Sequence, residues 1–132
     1  LWSSQVAPGN ENALRIRIYG DKGGMEWEQE NPNYLTVDIF GKAKKIIRRA
    51  GNETIDIGNR ITRIPPGHPE GYLEGFANIY SDFAKQILAF KDNQKPEKDI
   101  LLVPSIEDGV KGVKFITTVV ESGSNGGKWI KF

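Results

Sequence analysis

The histidine of this chain lies in a short loop that prolines and glycines make rigid. The segment PPGHPEGY, residues 65–72, contains His68, the only histidine among the 132 residues. An imidazole titrates near neutral pH, so it can hold or transfer a proton as well as form hydrogen bonds. In one interpretation the loop is a lead-in to a helix and the ring packs locally. In the other, the prolines hold the ring in a cleft as a hydrogen-bonding or proton-transfer group. The residues alone leave both open.

Other reactive groups fit the sequence less well. There is no cysteine, which excludes disulfides, thiolate metal sites and a thiol nucleophile, and a single histidine leaves no cluster for zinc. A Ser-His-Asp hydrolase is weakly supported, because no G-x-S-x-G segment exposes a serine. Glu70 and Glu74 are four residues apart, and a pair of acids at that spacing on a helix is predicted to be solvated rather than catalytic.

Two segments resemble ligand-binding motifs but lack their defining features. The glycine cluster at residues 123–127 is one residue short of the phosphate-loop spacing, and it follows a predicted helix instead of preceding one. A turn from that helix to a strand is therefore predicted. The segment KAKKIIRR, residues 42–49, carries five cations without interleaved aromatics, and the chain has 18 basic against 17 acidic residues. A solvated strand or inter-subunit arm is therefore favoured, and no nucleic-acid partner is expected. No apolar run approaches the length of a membrane span.

The first half of the chain has the alternating pattern of an antiparallel sheet. Leu14, Ile16 and Ile18 alternate with polar residues, and similar alternation follows, which predicts a meander of about four strands. The four segments are residues 13–20, 25–30, 34–40 and 42–50. Alternation around Trp2 also predicts a strand at the very start. A chain that begins inside a strand is expected to have been cut from a longer one.

The second half changes to helical spacing. Apolar residues predict a helix from Tyr72 to Phe90 and a second one that Ser105 caps and Gly123 ends. The segment LLVPS, residues 101–105, is predicted to be a short strand or extended entry, and residues 128–132 a last strand. Strands followed by helices predict an α+β domain, with helices on one face of a mostly antiparallel sheet.

Three segments carry a resemblance that spans nearly the whole chain. They are SSQVAPGNENALRIRIYGDKGGMEWEQENPNYL, PPGHPEGYLEGFANIY and PSIEDGVKGVKFITTVVESGSNGGKWIKF. They resemble the C-terminal part of the glucose–fructose oxidoreductase, inositol dehydrogenase and rhizopine-catabolism family (Gfo/Idh/MocA). The resemblance implies an open sheet like those in the C-terminal domains of dihydrodipicolinate reductase and glyceraldehyde-phosphate dehydrogenase. It also implies a homo-oligomer formed through the open sheet face.

The resemblance further implies a function for residues 1–132 as one domain of a longer, cytoplasmic enzyme. That enzyme moves a hydride between a sugar or cyclitol and NAD or NADP. The chain has neither the G-x-G-x-x-G fingerprint nor the E-K-P segment with the catalytic lysine, and the family's Asp…His pair lies before its start. No catalytic, cofactor-binding or metal residue is therefore assigned here, and the N-terminal Rossmann domain is expected to be absent. The resemblance places His68, Glu70 and Tyr72 beside the substrate.

A non-catalytic module is the alternative. In that case the sheet face serves only for assembly or for binding a carbohydrate or another partner. The predicted polar face of the first strand carries Arg15, Arg17 and Tyr19, and that of the next strand carries Glu26 and Glu28. Opposite charges can then pair across the two strands. If that face is buried in a dimer, aromatics such as Trp27 and Phe40 are expected near its rim.

Overall fold

An antiparallel sheet forms the first half of the chain. The computed structural model describes residues 2–132. Its four strands pair in the order β1-β2-β3-β4, each antiparallel to the next. The strands are β1 (Arg15–Gly20), β2 (Gly23–Glu28), β3 (Tyr34–Ile39) and β4 (Lys45–Arg48). The meander predicted from the alternation is confirmed.

The strand register gives the sheet an apolar face and a mixed polar face. One row across the sheet joins Ile16, Trp27, Leu35 and Ile47, and the next row joins Arg17, Glu26, Thr36 and Ile46. Arg15 and Glu28 form a cross-strand ion pair at 2.8 Å, which confirms the predicted charge pairing there. Trp27 lies in the apolar row, on the face opposite Glu26, and donates its indole N–H to the Pro32 carbonyl.

Three α-helices and a 3₁₀ helix follow the sheet in the described part of the chain. They are α1 (Asp56–Ile61), α2 (Tyr72–Lys91), the 3₁₀ helix Lys98–Leu102 and α3 (Ile106–Ser124). The two long helices match the predicted ones, whereas α1 was not predicted. Ser105 and Asp108 exchange hydrogen bonds as a capping box at the start of α3, as their spacing predicts. An antiparallel sheet followed by helices confirms the α+β class.

Three predicted extended segments are wrong or only partly right. Residues 2–6 and 128–132 form no strand, and Leu101 and Leu102 belong to the 3₁₀ helix, with extended backbone beginning only at Val103. Alternation describes which side chains could face a core, but a strand also requires a neighbour for its backbone hydrogen bonds. Among the described residues, the only paired strands are β1, β2, β3 and β4. Neither terminal segment therefore has a neighbouring strand to pair with.

The chain divides into two compact units, one that ends at Asn78 and one that runs from Ile79 to Phe132. In the second unit Ile100 is buried, and its carbonyl accepts a hydrogen bond from the Gln86 amide at 2.5 Å. The predicted apolar stripe of α3 is exposed to solvent, with Val113 at 64%. No helix among residues 2–132 has the length and hydrophobicity needed to cross a membrane.

Candidate functional site

His68 lies at the tip of the loop that joins α1 to α2. The turn is closed by a hydrogen bond from the His68 amide to the Pro65 carbonyl at 3.3 Å, and Gly67 has a φ of +86°. That left-handed conformation favours glycine, which explains the residue before the histidine. His68 is exposed, and its imidazole makes no hydrogen bond or ion pair with another described residue. The backbone is thus held in a turn while the ring stays available.

The loop forms one wall of a cavity of about 290 Å³. The other wall comes from the β2–β3 connection and the end of β4. The lining residues with polar side-chain groups are Glu30, Asn31, Asn33, Tyr34, Arg48, Arg49 and His68. A lining of this kind offers donors and acceptors to a small, hydrogen-bonding molecule. Of the three residues that the sequence places beside a substrate, His68 is the one that lines this cavity.

Arg49 ties the end of β4 to the His68 loop. Its guanidinium donates to the carbonyls of Ile64 at 2.7 Å and His68 at 2.8 Å, and more weakly to Pro65 at 3.4 Å. The same group forms an ion pair with Glu70 at 2.5 Å. The side chain is only 16% exposed, so its ion pair with Glu70 is largely shielded from water. The prediction that the cationic segment is solvated is wrong for Arg49, although Arg48 beside it is exposed.

Glu70 fixes the loop from the other side. One carboxylate oxygen accepts the Arg63 amide at 2.6 Å and the other accepts the Ile64 amide at 3.3 Å, in addition to the Arg49 pair. The side chain is 5% exposed. The prediction that Glu70 and Glu74 form a solvated pair on one helix is therefore wrong. Because α2 begins at Tyr72, Glu70 precedes the helix, and its carboxylate turns to the half-buried guanidinium of Arg49.

Asn33 completes the set that we call the Arg49 cluster: Asn33, Arg49 and Glu70. Its side-chain oxygen accepts from the Arg49 Nε at 2.7 Å and from the Glu70 amide at 3.3 Å. Its carbonyl also accepts the Arg49 amide at 2.9 Å. The sequence interpretation missed Asn33 and the role of Arg49. A signal for both is their position, since Asn33 directly precedes β3 and Arg49 directly follows β4, and these ends are adjacent in an antiparallel pair.

Tyr72 is the first residue of α2 and is 72% exposed. Its ring packs against that of Phe76 one turn later, with centroids 4.9 Å apart. Tyr72 does not line the cavity beside His68. Its hydroxyl has no hydrogen-bond partner within the described chain, so a ligand or another part of the protein can supply one.

Glu74 caps the start of α2. Its carboxylate accepts the Gly71 amide at 2.9 Å, which satisfies one of the amides that a helix N-terminus leaves without a partner. This hydrogen bond, followed by one from the Glu74 amide itself, lowers the pKa of Glu74 below its ordinary value of 4.5. The charges of Arg49 and Arg63 lower this pKa further. The carboxylate form of Glu74 therefore favours the folded start of the helix.

We expect the first turn of α2 to become less stable in acid because of Glu74. A pKa lowered by folding contributes stability above its unfolded value of 4.5, and this contribution is lost as the pH falls through the folded value. Glu74→Gln should weaken the pH dependence of amide exchange in that turn. Glu121→Gln is the control, because Glu121 is exposed and lies near the C-terminal end of a different helix, α3. The same pH dependence in both variants would contradict the expectation.

The glycine cluster after α3 is poorly placed for a dinucleotide. Gly126 and Gly127 have φ values of +74° and +77°, and the Gly127 amide is bonded to the Ser122 carbonyl at 2.8 Å. The cluster thus ends a helix, where the unpaired carbonyls and the helix dipole disfavour a phosphate. A phosphate loop needs the opposite end of a helix. The predicted turn is confirmed as a helix terminus, but no strand follows it among residues 125–132.

A family model described as the oxidoreductase family, C-terminal alpha/beta domain (Gfo/Idh/MocA), matches residues 1–132. The chain belongs to this family. The resemblance found in the three sequence segments is therefore confirmed. The Gfo/Idh/MocA chain is also 33% identical over 132 residues to the uncharacterised oxidoreductase YfiI of Bacillus subtilis (strain 168). It covers 34% of that protein.

Solved structures of oxidoreductases share the fold of this Gfo/Idh/MocA domain. One from Sinorhizobium meliloti is 48% identical, with a TM-score of 0.88 over 97% of this chain and 35% of its own. An inositol dehydrogenase homologue from Azotobacter vinelandii, solved with NADH and myo-inositol, is 30% identical, with a TM-score of 0.88. The match covers 99% of this chain and 35% of that one. The chain thus spans about a third of the length of these relatives.

Proposed function

We propose that this chain is the substrate-side and oligomerisation domain of a cytoplasmic, NAD(P)-dependent sugar or cyclitol dehydrogenase. The observation that carries the proposal is the presentation of His68. Its carbonyl is bonded to the half-buried Arg49, which pairs with the buried Glu70, whereas its imidazole is exposed at a polar cavity. A polyhydroxylated substrate requires such fixed donors and acceptors, because each hydroxyl that loses water must regain a hydrogen bond.

The three predicted residues take different parts in this proposal. His68 and Tyr72 offer exposed polar groups to the substrate. Glu70 belongs to the same wall, but its carboxylate oxygens are engaged by the loop amides and Arg49. Its contribution is therefore to hold the loop that presents the imidazole.

The rest of the protein supplies the cofactor and the catalytic groups in this proposal. The Azotobacter vinelandii homologue was solved with NAD+ and, in a second structure, with NADH and myo-inositol. NAD or NADP, bound elsewhere in the protein, would accept or donate the hydride. The chain alone is then expected to be inactive. The exposed apolar stripe of α3 supports a larger protein, since such a surface is ordinarily covered.

The open sheet face is the proposed contact in a homo-oligomer. On the polar face, Tyr19 on β1 is 76% exposed and Ile46 on β4 is 65% exposed. Charged residues of both signs, such as Arg17 and Glu26, lie on the same face. Exposed aromatic and apolar side chains beside such charges are available for burial against a second copy of the chain. The alternative, a non-catalytic module for assembly or carbohydrate binding, uses the same face but needs no cofactor.

Chemical labelling of His68 tests the substrate side. In the full-length protein with NAD+, diethyl pyrocarbonate should modify His68 more slowly when myo-inositol or D-glucose is present. Mass spectrometry of the peptide that contains residues 65–72 reads this directly, because the chain has one histidine. His68→Ala should lower kcat/KM by about 5- to 150-fold, the effect of losing a hydrogen bond worth about 1–3 kcal/mol to the substrate. The affinity of the His68→Ala variant for NAD+ should equal that of the wild type.

Two results separate the proposal from its alternative. Turnover of a polyol, with protection of His68, supports the dehydrogenase. An oligomer seen by light scattering, in which no polyol or sugar is turned over, would favour the assembly module. Labelling of His68 at the same rate with and without a substrate that is turned over would remove His68 from the substrate wall.

A further inference from the structure

We infer that Arg49 is the positioning residue for His68, so that substrate affinity at this wall depends on how the Arg49 side chain holds the loop as well as on the imidazole. This inference rests on the proposed function of His68. The inference assigns a role at the substrate wall to Arg49, which the sequence pattern alone places in a solvated cationic strand. Three observations carry it: the backbone targets of Arg49, the burial of its ion pair, and the absence of a hydrogen bond from the His68 ring to the described chain.

The loop is held through its backbone. Arg49 donates to the carbonyls of Ile64 at 2.7 Å and His68 at 2.8 Å, and Glu70 accepts the Arg63 amide at 2.6 Å. These contacts lie on both sides of the Pro66-Gly67 turn. They restrain the carbonyl of His68 itself without occupying its imidazole. Removal of the cluster should therefore displace the ring even though no contact to the ring is lost.

The geometry requires an arginine. A guanidinium presents five N–H donors in one plane, and here the Nε, Nη1 and Nη2 groups bind different partners: Asn33, Ile64 with Glu70, and His68 with Pro65. A lysine carries a single ammonium on a flexible stem, so it cannot bind all of them at once. Arg49→Lys keeps the charge beside Glu70 but should release part of the loop. A loop displaced by about 1 Å can lower activity by about 100-fold.

The test compares Arg49→Lys with Lys45→Arg in the full-length protein. Lys45 on β4 also pairs with a carboxylate, but its pair with Glu53 is exposed and neither residue lines the cavity. In Arg49→Lys, exchange of the Arg63 and Ile64 amides should accelerate at least about tenfold, and the KM for myo-inositol should rise about 10- to 100-fold. Protection of His68 by myo-inositol should be lost. The affinity for NAD+ should stay within about twofold of wild type, and Lys45→Arg should change none of these values.

The NAD+ measurement distinguishes a displaced loop from a damaged fold. If Arg49→Lys loses NAD+ affinity as well, Asn33→Ala decides, because it removes one acceptor of Arg49 and leaves the ion pair in place. Asn33→Ala should then raise the KM for myo-inositol, by a smaller factor than Arg49→Lys does. Faster exchange of the loop amides without any change in KM or in protection of His68 would overturn the positioning role. If wild-type His68 is never protected by a substrate that is turned over, the proposed function of His68 fails instead, whatever the variants do.

Discussion

Replacing Glu70 with alanine is expected to destabilise the His68 loop by about 3–5 kcal/mol, the usual cost of leaving a buried charge without its partner. The Arg49 side chain is 16% exposed and Glu70 is 5% exposed, with 2.5 Å between their charged atoms. In Glu70→Ala, the guanidinium would keep its carbonyl partners but lose its counter-ion. The amides of Arg63 and Ile64 would also lose their acceptor.

Glu53→Ala is the matched control for burial. Lys45 and Glu53 form an ion pair of similar length, 2.7 Å, but their side chains are 56% and 53% exposed. Exposed pairs contribute only about 0–1 kcal/mol, because water screens the charges. Native-state amide exchange at Arg63 and Ile64 should therefore report a large loss of free energy in Glu70→Ala and almost none in Glu53→Ala. Similar values for the two variants would mean that burial does not set the strength of the Glu70 pair.

The regular elements could be predicted because their patterns are local. Alternation of apolar residues over residues 14–19 is enough to define β1, and the capping box at Ser105 and Asp108 marks the start of α3. The short helix α1 was missed, since six residues give too little periodicity to detect. The terminal segments failed for the opposite reason. Residues 2–6 alternate, and residues 128–132 form a short run rich in apolar residues, but a strand depends on a neighbour that no local pattern reveals.

The Arg49 cluster was not predicted, because the exact ends and the register of two strands decide which side chains meet there. Asn33 and Arg49 come together through the pairing of Tyr34 with Arg48 at the ends of β3 and β4. The sequence gives no register, so Arg49 was grouped with its exposed neighbours in one cationic segment. His68 was found because proline and glycine punctuation is itself a local signal. Glu70 was identified by its spacing from Glu74 and by the family resemblance, but its burial and its partner follow from the tertiary contacts alone.

Gly23→Ala is expected to disrupt the pairing of β2 with β3 at a cost of about 1–3 kcal/mol, the range for forcing extra atoms into a packed site. A Cβ at Gly23 would overlap the carbonyl oxygen of Asp38 and lie 3.1 Å from the Cα of Ile39. Both neighbours are backbone atoms of β3, so no side-chain rotation can relieve the overlap. The strands themselves would have to separate, which lengthens the hydrogen bonds around the Gly23–Ile39 pair.

Gly20→Ala provides the comparison within the same hairpin, because Gly20 pairs directly with Gly23. A Cβ there would meet only the Gly23 carbonyl oxygen at 3.6 Å, an ordinary contact. Both changes replace glycine with alanine, so their effects on the unfolded chain are similar and cancel in the comparison. Amide exchange in β2 and β3, or urea unfolding, should show a loss in Gly23→Ala and a change within about 0.5 kcal/mol in Gly20→Ala. Equal stabilities would show that β3 can shift to accommodate a methyl group, and that the close approach at Asp38 does not restrict this position to glycine.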